Sequence, residues 1–155
     1  MVTELQFECI GLKDGGKIPL RHTGRGEDVS PEFVIHNLAS NAKTIAIIMD
    51  DIKHHIFGTF NHWVIWNIPA QDRIQGCIPN GKVLPGLGNA MQGVGYGRHK
   101  YAGPKPPRGK QHEYKFTIYA LDCEITLKNN ARKKHLLEAI KPHIIQQGSI
   151  TGVFE

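Results

Sequence analysis

Cysteine is scarce in this chain, and a long hydrophobic run is missing. Cys9, Cys77 and Cys123 form an odd set without CxxC spacing, which argues against a disulfide framework and fits reduced thiols in a cytoplasm. Each of the three reads as a small buried hydrophobe. No stretch approaches the roughly 20 apolar residues of a membrane span. The N-terminal MVTELQFECIGLKDGG carries early acids and no apolar run, so neither a signal peptide nor an anchor is expected. A Gly-x-Ser-x-Gly elbow and an HExxH motif are both missing, and no cysteine has an evident local base partner, which disfavours nucleophilic and zinc hydrolases. Aromatic residues make up 8% of the chain and are not interleaved with bases, so a platform for nucleic acid is not expected either.

What is present is a basic excess, 19 Lys and Arg against 14 Asp and Glu, for a net charge of +5. The bases are scattered. Their one tight cluster, Arg132-Lys133-Lys134, reads as a solvated helix face. A mild excess of this kind suits the attraction of small anions.

With 155 residues, 40% of them apolar and 21% charged, the chain reads as one domain over 1–155. A chain of this length buries roughly 68–70% of its unfolded surface and needs no staple to fold. Leu5–Ile10 alternates as a strand, and 33–38 reads as another short one. Segments 44–49 and 62–68 are apolar on both parities, as expected of central strands covered on both faces. The stretch 79–107 is rich in Gly and Pro without periodicity, a long loop of the kind that is functional when packed. A helix is expected over 130–147, with Leu136, Leu137, Ile140, Ile144 and Ile145 as its stripe and Gly148 as its stop, kinked or split at Pro142. Segment 150–154 would return as a terminal strand. Many short strands with one late helix indicate a mainly β domain of two packed antiparallel sheets.

The most informative segment is 96–122, YGRHKYAGPKPPRGKQHEYKFTIYALD. Pro104, Pro106 and Pro107 have fixed φ and no N–H, so the loop is stiff. In the strand that follows, His112, Tyr114, Phe116, Ile118 and Ala120 share one parity. A rigid loop beside an imidazole and a phenol at a strand entrance is suited to forming a small pocket.

The pattern Tyr101-x-Gly103-Pro104-x-Pro106-Pro107…His112-x-Tyr114-x-Phe116…Tyr119-Ala120-Leu121-Asp122 resembles the phosphatidylethanolamine-binding protein family, also called Raf kinase inhibitor-like proteins, in its bacterial and archaeal branch. Supporting anchors are Gly26…Ser30-Pro31, Asp50-Asp51, His62-Trp63 with Asn67, and Gln92-Gly93. The resemblance implies a Greek-key β sandwich with peripheral helices. It also implies an anion pocket at Asp51, His62, Gly103, Pro106, Pro107, His112 and Tyr114, with Trp63 and Tyr101 in its wall. Imidazole, phenol and backbone N–H groups are the donors a phosphoryl group needs. Asp51, as a carboxylate, would orient a histidine instead.

The chain departs from the family's usual Asp-Pro-Asp-Ala-Pro segment, reading Asp51-Ile52-Lys53-His54-His55, and Lys105 replaces the usual cysteine between the loop prolines. Lys53, if turned inward, would favour anions further, and Lys105 is a possible accessory residue of the pocket. The expected function is a non-enzymatic binding module for a phosphate-bearing small molecule or phospholipid head group, with no cofactor and a cytoplasmic location. For some relatives the resemblance suggests regulation of a protein kinase or protease. Two alternatives stand beside it. One is a metal-dependent hydrolase using His54, His55, His62, His99 and His112 with Asp50 or Asp51. The other is a pure protein-interaction role as a homodimer.

Overall fold

Strand-forming segments of two kinds, alternating and doubly apolar, account for the layers of the molecule. The computed structural model describes residues 1–54 and 56–155. Its strands are β1 (Thr3–Glu4), β2 (Phe7–Cys9), β3 (Phe33–Ile35), β4 (Thr44–His54), β5 (Gly58–Pro69), β6 (Arg73–Ile74), β7 (Val83–Leu84), β8 (Ala90–Gln92), β9 (His112–Leu121) and β10 (Ile144–Phe154). The helix α1 spans Lys133–Ile140. A seven-stranded sheet has the order β1-β10-β9-β4-β5-β8-β7 and faces a three-stranded sheet, β2-β3-β6. All named pairings are antiparallel except β1 with β10.

β4 and β5 are apolar on both parities because the large sheet is covered on both faces. Ile47, Met49, Trp63 and Ile65 join Phe33, Ile74, Phe116 and Ile118 in the core between the sheets. Ile48, Val64 and Trp66 pack on the other face with Leu136 and Ile140 of α1. β9 alternates as its pattern predicts, His112, Tyr114, Phe116, Ile118 and Ala120 all being buried. The loop region 79–107 contains β7, a 3₁₀ turn at Pro85–Leu87 and β8, and it buries Leu84, Leu87, Ala90 and Gln92 while much of the rest is exposed.

The helix is shorter than its periodicity predicts. It ends at Ile140, a 3₁₀ turn covers Lys141–His143, and β10 begins at Ile144. Pro142 has no N–H to give the Glu138 carbonyl, so the α-helix ends there instead of kinking, while Lys141 keeps helical backbone (φ −47°, ψ −48°) as the chain passes into the 3₁₀ turn. Ile144 and Ile145 then serve a strand, packing against opposite cores. Gly148 is no helix stop. It lies within β10, where a Cβ would stand 2.1 Å from the Leu5 carbonyl oxygen, so its lack of a side chain lets the N-terminal segment approach. The thiols also divide differently from the expectation: Cys9 is buried, Cys123 half-buried and Cys77 exposed. Among the described residues no helix is long and apolar enough to cross a membrane.

Candidate functional site

The inward parity of β4 and β9 brings an acid, an imidazole and a phenol to one end of the large sheet, and β5 adds a second imidazole, His62. Asp51 pairs with Tyr114 across the β4–β9 ladder, and His112 opens β9. Asp50, one residue earlier, faces the other way and pairs with Lys133 at 2.7 Å. Lys133 is therefore tied to the sheet and is not merely part of a solvated face.

A cleft of ≈ 140 Å³ opens here, lined by Asp51, His54, His62, Tyr96, Lys105, Pro106, Pro107, His112 and Tyr114. His112 Nδ1 lies 2.6 Å from Asp51 Oδ2. A carboxylate only accepts, so Nδ1 carries the proton. The second carboxylate oxygen accepts the Lys53 N–H at 2.9 Å, leaving Asp51 bonded through both oxygens. His62 Nδ1 donates to the Ala102 carbonyl at 2.6 Å. Burial pushes the His62 imidazole below its ordinary value, against the opposing pull of the Ala102 carbonyl and the nearby Asp51. His62 is accordingly neutral at pH 7, with Nε2 an acceptor. His54 has the other tautomer: its Nδ1 accepts the Ile56 and Phe57 N–H groups, both at 3.2 Å, which places its proton on Nε2. Burial first, and the Asp51 charge second, push the Tyr114 phenol well up, so it stays a donor.

The loop that closes the cleft is held from behind. Arg25 donates to the Pro106 carbonyl, and Gly24 N–H to that of Pro104 at 2.8 Å. Gly103 N–H donates to Asp28 Oδ1 at 2.6 Å. A Cβ at Gly103 would meet the His22 carbonyl oxygen at 2.2 Å, so only glycine lets the loop lie against that turn.

Six residues expected at the site line the cleft: Asp51, His62, Pro106, Pro107, His112 and Tyr114, and Lys105 joins them. Three expected residues stand behind it. Trp63 is buried and donates Nε1–H to Gln92 at 2.8 Å, and its ring meets Tyr101 edge-on at 5.3 Å. Tyr101 donates its hydroxyl to the His22 carbonyl at 2.7 Å. Gly103 is fixed to Asp28 as described. These are supports, not lining.

Lys53 does not turn inward; its residue is exposed and outside the lining. The reason is a register shift in the β4–β5 pairing between Asp51 and His54. Strict alternation would aim residue 53 with Asp51, but the irregularity puts His54 in that place. Of the other candidate metal ligands, His99 bonds the Gln92 carbonyl at 2.9 Å outside the cleft, and His55 lies outside the described residues.

Tyr96 is a lining residue that the motif reading passed over. Its φ of 51° is uncommon for a bulky side chain and marks local strain. The ring lies 4.9 Å from His62 and 5.1 Å from Phe60, edge-on to both. The flanking Gly95 and Gly97 were the available signal, since such pairs mark tight turns.

A model of the phosphatidylethanolamine-binding protein family matches residues 11–155. The chain belongs to that family. A UPF0098 protein of Pyrococcus horikoshii is 40% identical over 140 residues, covering 89% of this chain and 70% of its own. The UPF0098 protein YbhB of Escherichia coli is 30% identical over 151 residues, covering 92% and 95%. The crystal structure of the Escherichia coli family member YbcL superposes with a TM-score of 0.86 at 24% identity, over 99% of each chain. That likeness shows the phosphatidylethanolamine-binding fold in this chain: two sheets and a short C-terminal helix.

Proposed function

We propose that this family member is a non-enzymatic binding module whose cleft takes a small phosphoryl group. The observation that carries this reading is the arrangement of the cleft's polar atoms. Asp51, the one lining acid, is occupied on both oxygens by His112 and the Lys53 N–H. It therefore presents little bare charge to an incoming anion. Around it stand the Tyr114 phenol as a donor and two further nitrogen-bearing residues of the lining, His54 and Lys105. Neutral His62 adds an acceptor, which suits the hydroxyl of a singly protonated phosphate.

Binding fits better than turnover. The Tyr114 phenol is pushed up, opposite to the direction that activates a nucleophile. The lining residues include no serine, threonine or cysteine. A phospholipid head group and a phosphorylated segment of a kinase or other protein offer the same chemistry to such a cleft.

The test is calorimetric titration of metal-stripped protein with phosphate, phosphoethanolamine and a phosphoserine peptide, alongside Tyr114→Phe and His112→Ala. Saturable binding of phosphate, weakened in both variants, is expected. Tighter binding of one ester over phosphate separates the lipid source from the protein source. An absence of binding to all three in the folded wild type refutes the reading.

A further inference from the structure

At the end of the large sheet away from α1's start, three side chains of different donor type come together where β9 leaves the sheet and β10 enters it. Asp122 and Cys123 follow directly on β9, and His143 is the last residue of the 3₁₀ turn before β10. Their ligating atoms, a carboxylate oxygen, a thiol sulfur and an imidazole nitrogen, all lie within 4.8 Å of one another. None of them lines the cleft described above. Among the described residues these three form the one such group.

We propose that Asp122, Cys123 and His143 form a binding site for a transition-metal ion of the zinc class, one per chain. A sulfur, a nitrogen and an oxygen ligand are the set that a borderline-soft ion takes, whereas magnesium and calcium take oxygen. Around a tetrahedral zinc ion, ligand atoms stand roughly 3.3–3.6 Å apart, given bonds of about 2.0–2.3 Å. His143 Nδ1 and Asp122 Oδ1 are already 2.9 Å apart. The remaining adjustment is about one ångström, within reach of side-chain rotation.

The backbone beneath the three is fixed. Asp122 N–H donates to the His143 carbonyl at 3.1 Å, and Lys43 N–H to that of Leu121 at 2.8 Å. Thr44 donates its hydroxyl to the Cys123 carbonyl at 2.7 Å. Two strands and a turn therefore present the ligands from a common frame, and little chain entropy is lost on binding. Side-chain exposure of 38% for His143 and 46% for Asp122 leaves the ion a direct route from solvent.

On coordination the Cys123 thiol releases its proton to solvent. The His143 ring, if neutral, moves its proton from Nδ1 to Nε2, and the Asp122–His143 hydrogen bond is replaced by two metal bonds. Three protein ligands leave a fourth position for water, the arrangement of an open rather than a closed zinc site.

Cobalt(II) is the probe, because a thiolate ligand gives it a near-ultraviolet charge-transfer band and a tetrahedral field gives it strong visible bands. Reduced, chelator-stripped protein is titrated with Co2+, and the complex is then competed with Zn2+. Both sets of bands should appear at one ion per chain in wild type and in Cys77→Ser. The charge-transfer band should vanish in Cys123→Ser, and affinity should fall at least roughly ten-fold in His143→Ala. All three substitutions lie at positions that are exposed or half-buried, and circular dichroism checks that each variant is folded. No charge-transfer band in wild type overturns the proposal. So does a band that persists in Cys123→Ser, or an affinity unchanged in His143→Ala.

Discussion

The carboxylate of Asp51 is 2% exposed and His112 is 5% exposed, so neither group can recover solvation if its partner is removed. Breaking a buried pair from one side typically costs about 3–5 kcal/mol. His112→Ala removes the partner 2.6 Å from one Asp51 oxygen and leaves the Lys53 N–H on the other. Urea denaturation of His112→Ala should therefore show a loss of that order. Combined with Asp51→Ala, the double variant should lose less than the sum of the two singles, since each single change already removes the shared contact. Strictly additive losses would mean that the 2.6 Å contact contributes nothing to stability. Charge nearby is graded by orientation as well as identity. Lys105 lines the cleft and Lys53 does not. Lys105→Ala should weaken phosphate binding by roughly 0.5–1 kcal/mol, about two- to five-fold. Lys53→Asp should change it less than Lys105→Ala does, as measured by the same titration.

Between elements, contact is controlled by small residues as much as by apolar ones. β1 can pair with β10 because Gly148 leaves the Leu5 carbonyl oxygen unobstructed; Leu5 N–H donates to the Gln147 carbonyl at 2.9 Å. Gly148→Ala should push the N-terminal segment away and cost about 1–3 kcal/mol, the usual range for overpacking. The hydrogen-exchange protection of Leu5 should fall with it, and unchanged protection there would show that β1 tolerates the methyl group. The same strand marks the limit of sequence reading. Local patterns report burial period, so the alternation of β9 and the two-sided apolarity of β4 and β5 were legible. Ile140, Ile144 and Ile145 also fit a helical stripe, and only the position of Pro142 and the pairing of β10 with β9 decide where helix gives way to strand. The site was legible where a residue's parity holds. It failed at Lys53, where a register shift re-aims the chain, and at Trp63 and Tyr101, whose place behind the cleft depends on packing between elements. Tyr96 belongs to the same class, because the place of its half-exposed ring against His62 and Phe60 goes with an unusual φ that no periodicity encodes.

At the scale of the whole molecule, two buried imidazoles couple global stability to pH. His22 is 8% exposed and His62 3% exposed. Burial is the leading cause that lowers both below the ordinary histidine value, opposed at His22 by the Val29 carbonyl and at His62 by that of Ala102. A group that binds its proton less readily when folded makes stability rise with pH. Their contribution is complete above about pH 6.5, the unfolded value. It is lost as pH falls from there through the lower folded values. The urea midpoint should thus fall between neutral pH and about pH 5, and replacing both histidines by glutamine should flatten part of that fall. An anion in the cleft changes the balance at one of the two. Sulfate remains doubly charged across this range, so any change in its effect belongs to the protein. Protonated His62 would turn Nε2 from acceptor to donor, and sulfate should stabilise the fold increasingly as pH drops. That increase should disappear in His62→Gln and survive in His22→Gln, whose ring is held by the Val29 carbonyl outside the cleft. If sulfate stabilises wild type equally at both ends of the range, His62 takes no part in holding the anion.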